Sequence, residues 1–238
     1  MLLRGLLALD VISYSNFLAS TTYPMHEIMA LSLPETLNRR MAWLANSLPG
    51  SQVFDGLRAR PGWIGCALSY KYICTKALEQ GLNRILVCED DAEWTADYEY
   101  VYNIIDKFLI KNEGKWDIFV GIISNLHADA EVIEVEEYDG LTFVTLDKMT
   151  SMVFNIYSPK AMRLIANWND TWKDDQLNTI DRYLESVPGL RVVTLLEPLF
   201  GHREDQSSTL WGFQNTQYNS LIDESRALLG KKVADFLG

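Results

Sequence analysis

Short apolar runs alternate along the chain with stretches of helical periodicity. The run 28–33 is followed by a helical pattern over 37–48, and the uninterrupted run 85–88 is typical of a central parallel strand covered on both faces. Between them, apolar residues recur at helical spacing over 65–78, and Gly81 stands where a left-handed cap would end that helix. This alternation predicts an α/β fold.

The rest of the chain continues the pattern. Asp139-Gly140 separates two alternating runs as a hairpin turn, and Pro159 can open a helix at its first turn. We predict further strands at 116–123, 132–138, 141–146, 152–157 and 192–196, and further helices at 98–110, 159–165, 177–184 and from about 218 to the end. The sheet is therefore expected to be mixed, mostly parallel, and flanked by helices.

Composition fits a packed globular domain. The chain has 238 residues, of which 48% are hydrophobic and 22% are charged, and it contains no internal repeat and no Pro/Gly-rich linker. No apolar stretch approaches the ~18 residues that span a bilayer. At the start, Arg4 precedes an apolar run as in a signal peptide, but Asp10 interrupts that run, which favours an extra amphipathic helix or a misplaced start codon.

Charge and cysteine content narrow the function classes. Lys and Arg total 21 against 32 Asp and Glu, so the net charge is 21 − 32 = −11, and an acidic surface of this kind repels nucleic acid. Cys66, Cys74 and Cys88 lie in apolar runs without CxxC or Cys/His spacing. We expect them to be reduced thiols of a cytoplasmic protein.

Three consecutive carboxylates are the sharpest chemical feature. Glu89, Asp90 and Asp91 follow the run 85–88 directly, at the edge where open α/β sheets bind ligands. Unless a cation or hydrogen bonds offset them, such neighbours repel one another, which suggests a hard divalent ion that holds phosphate oxygens. His202 follows the run 192–196 and could complete a manganese or magnesium shell. The alternatives are a solvated turn and an ordinary hydrogen-bonded histidine.

Further acids and arginines could serve the same site. Asp174, Asp175, Asp181 and Glu185 flank or lie on the predicted helix 177–184, and one of them could act as a general base. Asp174 and Asp175 fit favourable acids at a helix start equally well, whereas Asp181 shares a period with apolar positions. Arg39 and Arg40 could reach a diphosphate, although surface arginines are ordinary on a first helix.

Several nucleotide and hydrolase motifs are absent from the sequence. No GxGxxG follows a strand, and there is neither a GxxxxGK[ST] nor a GxSxG sequence. Their absence argues against a dehydrogenase, a P-loop enzyme and an α/β-hydrolase.

Five segments, in order and spacing over about residues 28–210, resemble glycosyltransferase family 25. This family contains lipopolysaccharide and lipooligosaccharide galactosyl- and glucosyltransferases and the related collagen galactosyltransferases. The segments are IMALSLPETLNRR, VFDG, GWIGCALSYKYICTKALEQG, RILVCEDDAEW and SMVFNIYSPKAMRLI. One position departs from the pattern, because Tyr70 stands where the family has histidine. If that histidine assists donor binding, Tyr70 retains a hydrogen bond but not a charge.

The resemblance implies a GT-A-like single domain at 25–238, preceded by an extension at 1–24 to which we assign no role. It further implies a UDP-hexose donor, inversion at the anomeric carbon and a bound divalent metal, Mn²⁺ or Mg²⁺. Glu89 to Asp91 would take the place of the DxD motif, with Asp91 holding the metal and Glu89 or Asp90 meeting the metal or the ribose. Together with His202, proposed above from the residues themselves, we expect Glu89 and Asp91 to be the metal ligands and Asp90 to lie at the nucleotide. Asp181 falls at an acidic position of the family and would be the general base. The nucleotide would be bordered by Ser32, Leu33, Pro34, Arg39, Arg40, Phe54, Asp55, Gly56 and Ser69.

The sequence therefore predicts an inverting hexosyltransferase that acts on a glycan acceptor such as lipopolysaccharide, in the cytoplasm or at the inner face of the membrane. Two other functions stay open: a non-catalytic sugar-nucleotide or glycan-binding module of the same fold, and a metal-dependent phosphohydrolase. The sequence carries no signal that identifies the acceptor, the donor sugar or the oligomeric state. A sugar-stacking ring could be any of Trp63, Trp94, Trp168, Trp172 and Trp211.

Overall fold

The computed structural model describes residues 2–8, 13–94, 97–148 and 151–238. The helices are α1 Leu2–Ala8, α2 Tyr14–Ala19, α3 Leu37–Ala45, α4 Gly62–Glu79, α5 Tyr98–Lys111, α6 Pro159–Ala166, α7 Asp175–Asn178, α8 Ile180–Glu185 and α9 Asn219–Leu237, with a 3₁₀ turn at Asn215–Tyr218. The strands are β1 Ile28–Ser32, β2 Gln52–Asp55, β3 Ile85–Glu89, β4 Ala92–Trp94, β5 Ile118–Val120, β6 Val132–Tyr138, β7 Leu141–Leu146, β8 Phe154–Tyr157, β9 Val192–Leu195 and β10 Phe200–His202.

Eight strands form one mixed sheet in the order β2-β1-β3-β8-β5-β9-β7-β6. Strand β8 runs antiparallel to both of its neighbours and β7 to both of its own, so six of the eight strands point the same way. The predicted α/β class, with a mixed and mostly parallel sheet, is confirmed. A separate antiparallel ribbon pairs β4 with β10.

Helices cover both faces of this sheet because successive strand residues alternate between two cores. Met29 and Val87 belong to the core beneath α1, α2, α4, α6, α8 and α9. Ala30, Leu86 and Cys88 belong to the core beneath α3 and α5. The run 85–88 is therefore buried on both sides, as its continuous apolar sequence predicts.

Local signals in the sequence fix several element ends. Asp139 and Gly140 have φ of 50° and 81°, as a type I′ hairpin turn requires, and they join β6 to β7 as predicted. Gly81 has a φ of 73° just beyond α4. Pro159 occupies the first turn of α6, and the backbone N–H of Ala161 donates to the Ser158 hydroxyl at 3.3 Å, which caps the helix.

The predicted helix 177–184 is wrong in one respect. The chain breaks into α7 and α8 at Thr179, whose φ of −59° and ψ of 150° are extended. The buried side chain of Asn178 donates to the carbonyls of Asn169 and Trp172 at 2.8 and 2.7 Å, and this holds the break in place. Leu177 is consequently 53% exposed. Asp181 therefore does not share a buried helical face with it.

The N-terminal segment is packed against the domain. Leu7, Tyr14 and Phe17 are buried in the core that α4 also joins. Arg4 donates to the backbone carbonyl of Asp55, and its guanidinium lies 5.1 Å from the centroid of the Phe54 ring. Asp10, predicted to interrupt the apolar run, lies outside the described residues, and the division at residue 24 stays a prediction.

Two other expectations concern thiols and membrane spans. All three cysteines are free thiols, with Cys74 and Cys88 buried and Cys66 half-buried. Among the helices that the structure describes, none has the length and apolar character needed to traverse a bilayer.

Candidate active site

A cavity of about 390 Å³ opens beside the ends of β1 and β3, a volume within the range of small-molecule sites. Its polar wall includes Glu89, Asp90 and Asp91 at the end of β3, and Asp181 at the start of α8. His202 lies on the same wall because β10 pairs with β4, which places His202 opposite Ala92. The structure thus brings together residues that are far apart in the sequence.

Arg39, in the first turn of α3, bonds two of the three carboxylates. Its Nε and Nη2 lie 2.8 and 2.6 Å from Asp90 Oδ1, and Nη2 also lies 3.0 Å from Asp91 Oδ2. Burial opposes the charge on Arg39, but Asp91 and Asp90 outweigh it and raise the pKa of the guanidinium. The repulsion within the acidic cluster is therefore offset in part by an arginine, which sequence reasoning had not paired with it.

Both carboxylate oxygens of Asp90 accept hydrogen bonds from other residues of the protein. Besides Arg39 on Oδ1, the hydroxyl of Ser32 at the end of β1 donates to Oδ2 at 2.7 Å. Burial raises the pKa of Asp90, and Arg39 and Ser32 oppose the shift. Ser32 therefore acts on the site by holding Asp90.

Asp91 keeps one oxygen without a partner. Its Oδ2 accepts from Asn215 Nδ2 at 2.9 Å and from Arg39, whereas the buried Oδ1 has no hydrogen-bond partner in the described part of the chain. A buried carboxylate oxygen without a donor is unfavourable unless a ligand supplies the missing contact.

Glu89, the last residue of β3, is half-buried. Burial raises the pKa of its carboxyl to about 8, Asp91 adds to the shift and Arg39 opposes it. Asp181 is among the charges that raise this pKa, so the two carboxyls share one electrostatic environment. Without a cation in the cavity, Glu89 keeps its proton at neutral pH.

Two acids of the α7–α8 segment reach the cavity. Asp181 and Asp175 both line it, and the backbone N–H of Arg182 donates to Asp181 Oδ1 at 2.9 Å. Asp174 caps α7 by accepting from the N–H of Gln176 at 3.0 Å, and Glu185 pairs with Arg182 at 2.9 Å. Asp181 therefore keeps a position suitable for a base, although not for the helical reason predicted.

The predicted nucleotide-binding residues divide into two groups. Leu33, Arg39, Gly56 and Ser69 line the cavity together with Asp90. The hydroxyl of Ser69 is bonded within the protein, because it donates to the Gly65 carbonyl at 2.7 Å and accepts from the Leu57 N–H at 2.8 Å.

The other predicted nucleotide-binding residues do not line the cavity. Phe54 is fully buried and stacks on Tyr72 at a centroid distance of 5.4 Å. Arg40 and Arg4 both bond Asp55, and Pro34 is exposed outside the lining.

Tyr70 is a core residue. Its ring is fully buried, and its hydroxyl donates to the carbonyl of Met152 at 2.9 Å. The hydroxyl is thus committed to the backbone between α4 and the start of β8, and Tyr70 does not line the cavity.

One group of lining residues, apart from the candidate ring Trp211, was not predicted from the sequence. It comprises Leu210, Trp211, Asn215, Tyr218 and Ile222. Asn215 makes three hydrogen bonds at the site. Its side-chain Nδ2 donates to Asp91 and to the Arg203 carbonyl, and its backbone carbonyl lies 3.1 Å from His202 Nε2. A lone asparagine outside any motif carries no sequence signal for such a role.

The predicted metal set fits only in part. In the described part of the chain, no group of three or more His, Cys, Asp or Glu side chains is arranged to hold a metal ion. The free Oδ1 of Asp91 and the neighbouring Glu89 carboxyl nevertheless fit a hard divalent ion, because Mg²⁺-type sites use one or two carboxylates and take their other ligands from substrate phosphates and water. Because the Asn215 backbone carbonyl can only accept a hydrogen bond, His202 donates to it through Nε2. Nδ1 is then the only ring nitrogen of His202 that could ligate a metal.

Comparisons with known proteins identify no family for this chain. No known family profile matches the chain, and no curated protein matches it. Among solved structures, it is similar to the crystal structure of mannose-1-phosphate geranyltransferase from Thermus thermophilus, with a TM-score of 0.37 and 13% identity. That alignment covers 73% of this chain and 59% of the other, so the chain spans less than two thirds of that structure.

Proposed function

We propose that this protein is an inverting glycosyltransferase, similar to glycosyltransferase family 25, that moves galactose or glucose from a UDP-sugar to a hydroxyl of a glycan acceptor such as lipopolysaccharide. The observation that carries the proposal is the unpartnered, buried Oδ1 of Asp91, at the edge of the sheet and in the same cavity as Asp181. It supports a site that is completed by a cation and a diphosphate.

The charges of the cavity support a role for a metal. Five acidic side chains line it, namely Glu89, which is protonated without a cation, and the four aspartates Asp90, Asp91, Asp175 and Asp181, against three lining arginines. Arg39 already pairs with Asp90 and Asp91, Arg58 with Glu35, and Arg182 with Glu185. A diphosphate would therefore meet net repulsion unless it arrived with a divalent cation.

The proposed reaction is a direct displacement. A hydroxyl oxygen of the acceptor forms the new bond to the anomeric carbon, the bond from that carbon to UDP breaks, and UDP leaves with the electron pair. Asp181 accepts the proton of the attacking hydroxyl. A divalent ion held by Glu89 and Asp91, Mn²⁺ or Mg²⁺, would supply charge stabilisation for the leaving diphosphate. Arg39 keeps Asp90 and Asp91 in place.

Substitution of Asp181 tests this assignment. Asp181→Asn should lower hexose transfer by roughly 10²- to 10⁴-fold, because the amide cannot take the proton, while UDP affinity stays within about twofold. UDP release from UDP-galactose and UDP-glucose is measured with Mn²⁺ over a panel of glycan acceptors. Asp174→Asn is the matched control, since asparagine caps α7 as well as aspartate does.

Two further measurements, of UDP binding and of phosphate release, separate the alternatives. UDP binding without turnover of any donor would favour a binding module, and phosphate release from simple esters would favour a metal-dependent phosphohydrolase. Transfer by Asp181→Asn at the parent rate would contradict the assignment of the base.

A further inference from the structure

Among the tryptophans considered for sugar stacking, Trp211 stands apart. Trp63 and Trp168 are buried against each other edge to face at 6.3 Å, and Trp94 packs edge to face on Trp43 at 5.2 Å. Trp172 is 44% exposed but does not line the cavity. Trp211 is 48% exposed and lines it.

The segment that carries Trp211 is an ordered hairpin, residues 207–214. Ser207 and Gln214 pair as an antiparallel bridge, and the N–H of Ser208 donates to the Phe213 carbonyl at 2.8 Å. Gly212 takes a φ of 78° at the tip, and the N–H of Trp211 donates to the Ser208 hydroxyl at 3.2 Å. The backbone beneath the indole is therefore fixed before any ligand binds.

The hairpin is also tied to the acidic cluster. Arg39, which bonds Asp90 and Asp91, donates through Nη1 to the carbonyl of Ser207 at 2.7 Å. On the other strand, Phe213 packs on Tyr218 at 5.1 Å, and Tyr218 meets His202 edge to face at 6.2 Å. These contacts hold the indole at a defined place relative to the carboxylates.

The surroundings of the indole suit a carbohydrate. One face of a pyranose ring presents C–H groups, which pack on the electron-rich face of an aromatic ring, and its edge presents hydroxyls that need hydrogen bonds. Leu210 continues the apolar surface, and Ser208, Thr209, Asp175 and Gln176 are polar lining residues of the same cavity.

We propose that Trp211 is the stacking platform for a pyranose ring, either that of the donor hexose or that of the acceptor glycan. The assignment rests on the proposed transferase function, because it takes the cavity to be the site where the two sugars meet. Trp211 is a specificity-determining residue that contacts substrate, and the hairpin 207–214 positions it.

The test measures sugar binding separately from nucleotide binding. Saturation-transfer difference NMR with methyl β-galactopyranoside and methyl β-glucopyranoside is recorded for the parent protein, Trp211→Ala, Trp211→Phe and Trp172→Ala. The same four proteins are also titrated with UDP-galactose, UDP-glucose and UDP. If the ring belongs to the acceptor, Trp211→Ala should weaken binding of a pyranoside by roughly three- to tenfold. If the ring belongs to the donor, Trp211→Ala should weaken binding of UDP-hexose, relative to binding of UDP, by the same factor. Trp211→Phe should lose less because a ring remains, and Trp172→Ala should match the parent because it is equally exposed but outside the cavity.

The arms identify the sugar and separate the two proposals. A loss confined to UDP-hexose assigns the ring to the donor, and a loss of free pyranoside assigns it to the acceptor; either supports the inference. The inference is overturned if Trp211→Ala binds both pyranosides and UDP-hexose as tightly as Trp172→Ala does. It is also overturned if the parent protein binds no pyranoside and binds UDP-hexose no more tightly than UDP. Trp211-dependent pyranoside binding in a protein that does not bind UDP would leave this inference standing and overturn the proposed function alone.

Discussion

At the scale of single residues, the site combines a satisfied acid, a half-satisfied acid and a protonated one. Asp90 has donors on both oxygens, Asp91 on one, and Glu89 keeps its proton because burial raises its pKa to about 8. Arg39 is the common partner of the two aspartates. Because these groups are mostly buried, removal of one partner would leave an uncompensated buried charge, which destabilises the fold.

Arg39→Met should therefore destabilise the fold, by roughly 3 to 5 kcal/mol, since it leaves buried carboxylates without their cation. Arg40→Met is the matched control on the same helix: Arg40 pairs with Asp55, whose side chain is 43% exposed, so its loss should cost about 1 kcal/mol or less. Urea denaturation at pH 7 measures both. Equal losses for the two variants would show that Arg39 does not neutralise the cluster.

The sequence predicted the acids of the site better than their partners. Glu89, Asp90 and Asp91 were recognisable because three carboxylates follow an apolar run. The pairing of Arg39 with them and the role of Asn215 depend on how distant segments meet. Arg39 was predicted to reach a diphosphate rather than to pair with the acids, and Asn215 carries no signal of its own. Clustered acids can also be neutralised by an arginine, and the prediction of a metal ion did not consider an arginine as the alternative cation.

At the scale of elements, close packing sets the shape of the cavity. Helix α4 approaches the segment 57–59, and a Cβ at Gly65 would lie 2.6 Å from the Leu57 carbonyl oxygen and 2.9 Å from the Ala59 nitrogen. Leu57 and Ala59 line the cavity, as do Trp63 and Cys66 from the same helix. Only glycine at position 65 permits this contact between α4 and the cavity wall.

Gly65→Ala should consequently cost about 2 kcal/mol or more of stability, because the methyl group meets backbone that cannot yield as a flexible side chain would. Gly230→Ala provides the opposite case, since Gly230 lies inside α9 and a methyl group there would have no neighbouring atom within 4 Å. That substitution should stabilise by about 0.5 to 1 kcal/mol through helix propensity. Chemical denaturation of both variants checks the pair, and a Gly65→Ala variant as stable as the parent would contradict the packing argument.

Most helices and strands were predictable from the sequence, but the strands β2, β4 and β10 were not. Helices α4 and α5 and the hairpin β6–β7 follow their sequence periods closely. The strands β4 and β10 have three residues each, too few for a period of two to be recognised, yet their pairing places His202 at the cavity. The break at Thr179 could not be predicted from the sequence either, because it depends on the hydrogen bonds of the Asn178 side chain to the Asn169 and Trp172 carbonyls.

At the scale of the whole molecule, the sheet and its charge define what the cavity can accept. Six strands of the sheet run in one direction, and β1 and β3 end together beside the acidic cluster. The reversal of β8 could not be predicted, because a strand buried on both faces has the same apolar sequence in either direction. With a net charge of −11, the molecule opposes the approach of a free diphosphate.

The central claim is that Asp91, through its free oxygen, binds a nucleoside diphosphate by way of a divalent cation. Calorimetric titration of UDP into the parent protein, with Mn²⁺ and then with a chelator, tests it most directly, alongside Asp91→Asn and the exposed control Asp129→Asn, whose partner is Lys148. We predict Mn²⁺-dependent UDP binding that Asp91→Asn weakens at least about tenfold, a loss of about 1.4 kcal/mol, and that Asp129→Asn leaves unchanged. UDP binding of equal strength in the chelator, or in Asp91→Asn, would contradict the account.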